Sequence, residues 1–129
     1  MAIERADYNI LVVEDTPPMA KLTLMSLERA GFTGTTLAED GETAIDFLKE
    51  QSPHLVLLDL NLPGISGWDV MEYITDTHGA NHFPVIVTTA FGDSPNRVVG
   101  RLQNVFKYMV KPFSPQDLTS SVETALGIA

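Results

Sequence analysis

Cysteine is absent from the 129-residue chain, so no disulfide can staple the fold. The opening Met1-Ala2-Ile3-Glu4-Arg5-Ala6-Asp7 also lacks the long apolar stretch of an export signal, and the two absences together point to the cytoplasm. No apolar run approaches the roughly 18 residues needed to cross a bilayer, so no membrane role is expected. Positive charge is scarce: 8 lysines and arginines stand against 17 aspartates and glutamates, a formal charge of −9. Such a domain repels a polyphosphate backbone at the range where electrostatics steers association, which argues against direct nucleic-acid binding. Acidic surplus serves solubility, and it can also gather into a pocket that collects a cation. The three histidines, His54, His78 and His82, show no metal-ligand spacing and read as surface residues. Trp68, the single tryptophan, reads as packing, and Met19, Met25 and Met71 as core filler.

Apolar residues make up 44% of the chain, and they fall into two alternating kinds of segment. Short runs rich in β-branched residues occupy 10–13, 33–38, 55–58, 85–87 and 105–110. Runs that are apolar without alternation mark strands buried on both faces, the habit of a parallel sheet covered by helices, and the more polar second run suits an edge. Between them, spacing of apolar residues by three or four predicts helices near 17–30, 41–51, 67–77, 95–103 and 115–126. Thr16 before Pro17, Ser66 with Asp69, and Ser114 with Pro115 and Asp117 read as helix caps. No linker or repeat interrupts the pattern, so 1–129 is read as one domain with a flexible tail over 1–7. Strand-helix units joined by right-handed crossovers predict a doubly wound (βα)5 sandwich, an α/β fold with sheet order 2-1-3-4-5.

That order brings the polar residues at the strand ends to one rim. Glu14 and Asp15 follow the first strand, Asp59 the third, Thr89 the fourth and Lys111 the fifth. Three carboxylates crowded together either raise a pKa or recruit a cation, and a hard divalent ion that takes oxygen ligands, such as Mg²⁺, answers the need. Lys111 adds a positive point charge, and Thr89 a hydroxyl; Thr88 competes for that role, and only the following Ala90 favours Thr89. Together the groups meet the needs of phosphoryl transfer to an aspartate. Taken singly they are less telling: Asp15 then reads as a cap of the first helix, and Tyr108 as core.

The segments Glu14-Asp15, Leu57-Leu58-Asp59-Leu60-Asn61-Leu62-Pro63-Gly64, Pro84-Val85-Ile86-Val87-Thr88-Thr89-Ala90 and Tyr108-Met109-Val110-Lys111-Pro112-Phe113 resemble the signature of response-regulator receiver domains of two-component signalling, the chemotaxis-regulator type included. The resemblance covers nearly the whole chain. It implies a flavodoxin-like fold in which Asp59 accepts a phosphoryl group from a phosphohistidine on a sensor kinase or histidine phosphotransfer protein. It implies Mg²⁺ (or Mn²⁺) held by Asp15, Asp59 and the Asn61 backbone carbonyl, with Glu14 acting through water. Thr89 and Lys111 would meet the phosphoryl group, Tyr108 would switch rotamer with Thr89, and the Lys111–Pro112 peptide would be cis. Output would pass through the face of the 95–103 helix, the fifth strand and the last helix, toward an effector or a second copy, with Arg97 and Arg101 as contacts. The domain would not be a turnover enzyme, though slow self-dephosphorylation is expected. Asn104-Val105, Gly100 in the 95–103 helix and Phe91 near the pocket mouth depart from the family's habit. An aspartyl-nucleophile phosphohydrolase is disfavoured because Asn61 stands where a second acid is needed. A flavin binder is disfavoured because Pro17 and Pro18 remove two amides from the first loop.

Overall fold

A computed structural model describes residues 3–78, 83–89 and 105–128. Its elements run β1 (Ile10–Val13), α1 (Pro17–Arg29), β2 (Thr35–Ala38), α2 (Gly41–Glu50), β3 (Leu55–Asp59), α3 (Gly67–His78), β4 (Val85–Thr89), β5 (Lys107–Val110) and α4 (Pro115–Leu126). The helix expected over 95–103, with Arg97, Gly100 and Arg101, lies outside the described residues, as do Phe91 and Asn104.

The five strands are parallel and ordered β2-β1-β3-β4-β5, the expected arrangement. Every residue of β1, β3 and β4 is buried, whereas β2, at an edge, is only partly so. Alternation along the strands divides the core in two. Leu11, Val13, Val56, Leu58, Val85 and Val87 pack on one side with Ala44 and Leu48 of α2 and Val70 and Ile74 of α3. Ile10, Val12, Leu55, Leu57, Ile86 and Met109 pack on the other with Leu27 of α1, Phe32, and Leu118 and Val122 of α4. Truncating any of the fully buried leucines to alanine would cost about 2–5 kcal/mol. Of the three methionines read as filler, Met71 is in the core, but Met25 is exposed, because the buried stripe of α1 runs through Ala20, Thr23 and Leu27.

Helix starts follow side-chain chemistry with one correction. Asp40 accepts from the Thr43 amide at 2.7 Å, Ser114 from Asp117 at 3.0 Å, and Ser66 and Asp69 bond reciprocally at the head of α3. Thr16, expected to cap α1, makes no side-chain cap bond. Pro17 and Pro18 have no amide hydrogen, so two of the free donors at the helix start do not exist, the second-position donor that a cap often takes among them. α4 ends at Gly127, whose φ of 74° suits glycine at a left-handed helix stop.

The start of the chain packs through Arg5. Arg5–Asp7 form a 3-10 turn, and the Arg5 guanidinium donates to the Ala30 carbonyl at 3.0 Å and pairs with Glu123 of α4. It lies 4.9 Å from the centre of the buried Phe32 ring. A cation finds three partners there: a ring face, a carboxylate and the negative carbonyl end of α1.

Candidate functional site

The site stands at the carboxyl ends of β1, β3, β4 and β5, where neighbouring connections diverge. Backbone bonds hold each contributor: the Glu14 amide donates to Ala38 at 3.0 Å, Leu60 to Thr88 at 3.1 Å, and Lys111 to Thr89 at 2.9 Å. The Lys111–Pro112 peptide is cis.

Asp59 is 2% exposed, and its two oxygens have separate partners. Oδ1 accepts the Asn61 amide at 2.9 Å, and Oδ2 accepts Lys111 Nζ at 3.1 Å. Lys111 Nζ lies closer still, 2.6 Å, to Glu14 Oε1, while Glu14 Oε2 takes the Thr16 amide at 3.2 Å. Glu14 is 4% exposed, and burial pushes its carboxyl above the ordinary 4.5; the negative charge of Asp59 adds to this and Lys111 opposes it. Burial works against the Lys111 charge, but the Glu14 and Asp59 carboxylates outweigh it and hold the ammonium above its ordinary 10.5. Each carboxylate is thus kept tolerable by one shared cation.

Asp15 completes the group as its most exposed member, and one oxygen from each of Glu14, Asp15 and Asp59 falls within 4.8 Å of the others. Three oxygen donors of like charge at this range suit a hard divalent cation. Asn61, bonded to Asp59 through its amide, follows directly along the same rim.

Strand alternation separates the remaining candidates. Thr88 is paired with Asp59 in the sheet and lines a cavity with Glu14, on the side of Leu57 and Val12. Thr89 follows Val85 and Val87 to the opposite side, where the half-buried Tyr108 packs. The structure therefore brings Glu14, Asp15, Asp59, Asn61 and Lys111 together, and places Thr89 and Tyr108 across the strand plane from them.

Three features escaped the sequence. Glu14 is a direct partner of Lys111 and not only a remote group; the run of adjacent acids 14 and 15 hinted at this without giving a partner. Thr23 reaches the same cavity from α1. Gly67 and Gly41 also crowd the loop that carries Asn61: a β-carbon on Gly41 would lie 2.6 Å from the Ile65 carbonyl oxygen.

Residues 10–123 match the family described as the response regulator receiver domain. The phosphate regulon transcriptional regulatory protein PhoB of Escherichia coli K12 is 36% identical over 117 residues, 91% of this chain and 51% of PhoB. The DNA-binding response regulator MtrA of Mycolicibacterium smegmatis is 37% identical over 117 residues, again 91% of this chain and 50% of MtrA. The chain thus spans about half the length of the curated relatives it matches. Among solved structures, the receiver domain of the sensor histidine kinase PA1611 from Pseudomonas aeruginosa PAO1 superimposes with a TM-score of 0.82 at 27% identity, covering 93% of this chain and 98% of that one. That structure has a magnesium ion coordinated in its active-site cleft.

Proposed function

The chain belongs to the response regulator receiver domain family, whose role in two-component signalling is to accept a phosphoryl group, and from that premise we propose that Asp59 is the acceptor in this protein. One observation carries the assignment: Asp59 is a buried carboxylate beside two other carboxylates, and among the described residues Lys111 is the cation that pairs with it and with Glu14.

An Asp59 carboxylate oxygen forms the new P–O bond as the P–N bond of a phosphohistidine breaks, and the departing imidazole leaves with the electron pair and takes a proton. The oxygen-only donor set fits Mg²⁺ (or Mn²⁺), which the Asp15 and Asp59 carboxylates and the Asn61 backbone carbonyl would hold, with Glu14 acting through water. It supplies neutralisation of charge on the transferring group. Lys111 leaves the Glu14–Asp59 bridge to pair with the phosphoryl oxygens, and the Thr89 hydroxyl turns toward them. Tyr108 moves with Thr89, so the local charge event is read on the far side of the sheet.

The domain retains one phosphoryl group per chain and loses it slowly, and in this sense it is not a turnover enzyme. Its donor is a sensor histidine kinase or a histidine phosphotransfer protein. Its output runs through the 95–103 segment, β5 and α4 to an effector or a second copy, with no direct nucleic-acid or membrane binding by residues 1–129, which act as one domain in the cytoplasm. No described helix is long and apolar enough to cross a membrane.

Acetyl phosphate with Mg²⁺, followed by intact-mass measurement, tests the assignment. The expected result is one added phosphoryl group on the wild type and none on a folded Asp59→Asn variant; equal labelling of both would place the nucleophile elsewhere.

A further inference from the structure

A cavity of about 10 Å³ is lined by Glu14, Thr23 and Thr88 together with the apolar Val12, Val13, Leu57 and Phe113. Thr23 reaches it from α1 and Thr88 from β4, and each is only 6% exposed. Other buried hydroxyls are satisfied within the protein: Ser26 donates to the Leu22 carbonyl, and Ser121 accepts from Lys107. Thr23 and Thr88 have no hydrogen bond to any described side chain or backbone group through their hydroxyls. A buried hydroxyl without a partner is destabilising, and two of them around one cavity next to a buried carboxylate are an unusual concentration of unmet hydrogen-bonding capacity. The cavity has roughly the volume that one water molecule requires, and such a water needs two to four polar neighbours.

We propose that this cavity is a built hydration site holding one long-lived water, which donates to the Glu14 carboxylate and exchanges hydrogen bonds with the Thr23 and Thr88 hydroxyls. The partner count closes. Water offers two hydrogens and two lone pairs, so one hydrogen goes to Glu14, the other to one threonine oxygen, and a lone pair accepts from the second threonine. Thr88 then has a task separate from that of Thr89, on the opposite side of β4.

The site also bears on the proposed function. Glu14 is bonded to Lys111 on Oε1 and to the Thr16 amide on Oε2. When Lys111 turns to a phosphoryl group, Glu14 stays buried, and the internal water remains as a donor on its inner side. That consequence rests on Asp59 being the acceptor; the water itself does not.

The test uses Thr23→Val, Thr88→Val and the double variant, each of which exchanges a hydroxyl for a methyl of nearly equal size. All measurements are made on the metal-free, unphosphorylated chain, so they stand whatever the fate of Asp59. Thermal melts should show each single variant lowered by about 3–5 °C, as expected for the loss of one net hydrogen bond in a domain of this size. The double variant should fall little further, because both hydroxyls serve one water. A rise in Tm on either substitution would mean that the hydroxyl is buried dry, and strictly additive losses would mean separate partners; both overturn the proposal. Magnetisation transfer from water to the amides of Val13, Glu14 and Thr88 in nitrogen-labelled protein should reveal a bound water in the wild type that disappears in Thr88→Val. No transfer in the wild type would sink it equally.

Discussion

Gly67, the first residue of α3, lies so close to Asp59 that a β-carbon on it would overlap the Asp59 carbonyl oxygen and stand 2.5 Å from the Leu60 Cα. The Gly67 amide also donates to the Leu60 carbonyl at 3.2 Å, closing the loop that carries Asn61. The atoms in the way belong to backbone, so they cannot swing aside as a side-chain end would. Gly67→Ala should therefore displace the end of β3 and, with it, the Asn61 amide that holds Asp59 Oδ1. The expected outcome is a Tm lowered by several degrees and a weakening of Mg²⁺ binding by about tenfold, roughly 1.4 kcal/mol. Calorimetric titration of the folded variant checks this; wild-type affinity would show that the site tolerates the shift.

Asp15→Asn should weaken Mg²⁺ binding while leaving the metal-free protein as stable as the wild type or slightly more so. The Asp15 carboxylate makes no hydrogen bond among the described residues, and the start of α1 has no side-chain cap to lose. Removing one of three crowded negative charges relieves repulsion of about 1 kcal/mol or less, given the exposure of Asp15. Melts in chelator read the sign. A clear drop in Tm would make Asp15 a structural residue of the loop.

The pH dependence of the metal-free protein should carry the signature of Glu14. Its folded pKa lies above the ordinary 4.5, so the native state holds this proton more tightly than the unfolded chain does. The stability from that difference is complete below 4.5 and is lost as pH rises through the folded value. Lys111, also raised, contributes stability that is present below 10.5 and lost as pH climbs through its own folded value. Urea midpoints from acid to neutral pH should thus fall more steeply for the wild type than for Glu14→Gln. Saturating Mg²⁺ should flatten the difference by favouring the ionised carboxylates. Parallel curves in chelator would refute the assignment to Glu14.

Arg5→Ala should lower Tm by about 4–8 °C, from a partly exposed ion pair worth about 0.5–1 kcal/mol and a similar gain from the Phe32 ring. The side chains of Arg5 and Glu123 are 39% and 23% exposed, which keeps the ion-pair share modest. Arg5→Lys should recover only part of the loss, because an ammonium cannot address the Ala30 carbonyl and Glu123 as a fork does. A double-mutant cycle with Glu123→Ala isolates the pair, and additive losses would show that the contact contributes nothing.

Much of this is legible in the amino-acid sequence. Ile10 to Val13 and Leu55 to Leu58 are apolar without alternation, and only strands covered on both sides read so; the crossover rules then bring Asp15, Asp59 and Lys111 to one rim. What stayed hidden depends on distance along the chain or on register. Arg5 meets Glu123 across a separation of 118 residues, for which no local periodicity gives a sign. Thr16 looked like a cap because its type and position were right, yet the two prolines after it leave less to cap. Thr88 and Thr89 were indistinguishable by type; only the pairing of Asp59 with Thr88 reveals which of them shares its side of the sheet.

The backbone bonds from Glu14 to Ala38, Leu60 to Thr88 and Lys111 to Thr89 have a mechanical consequence. They lie crosswise at the sheet's upper margin, so the margin behaves as a set of stiff ties rather than as five loose strand ends. Thr88 and Thr89 are adjacent anchor points for these ties, one bonded toward β3 and the other toward β5. The end of β3 at Asp59 and the Lys111 peptide are thus joined through the backbone of β4 as well as through the Asp59–Lys111 ion pair.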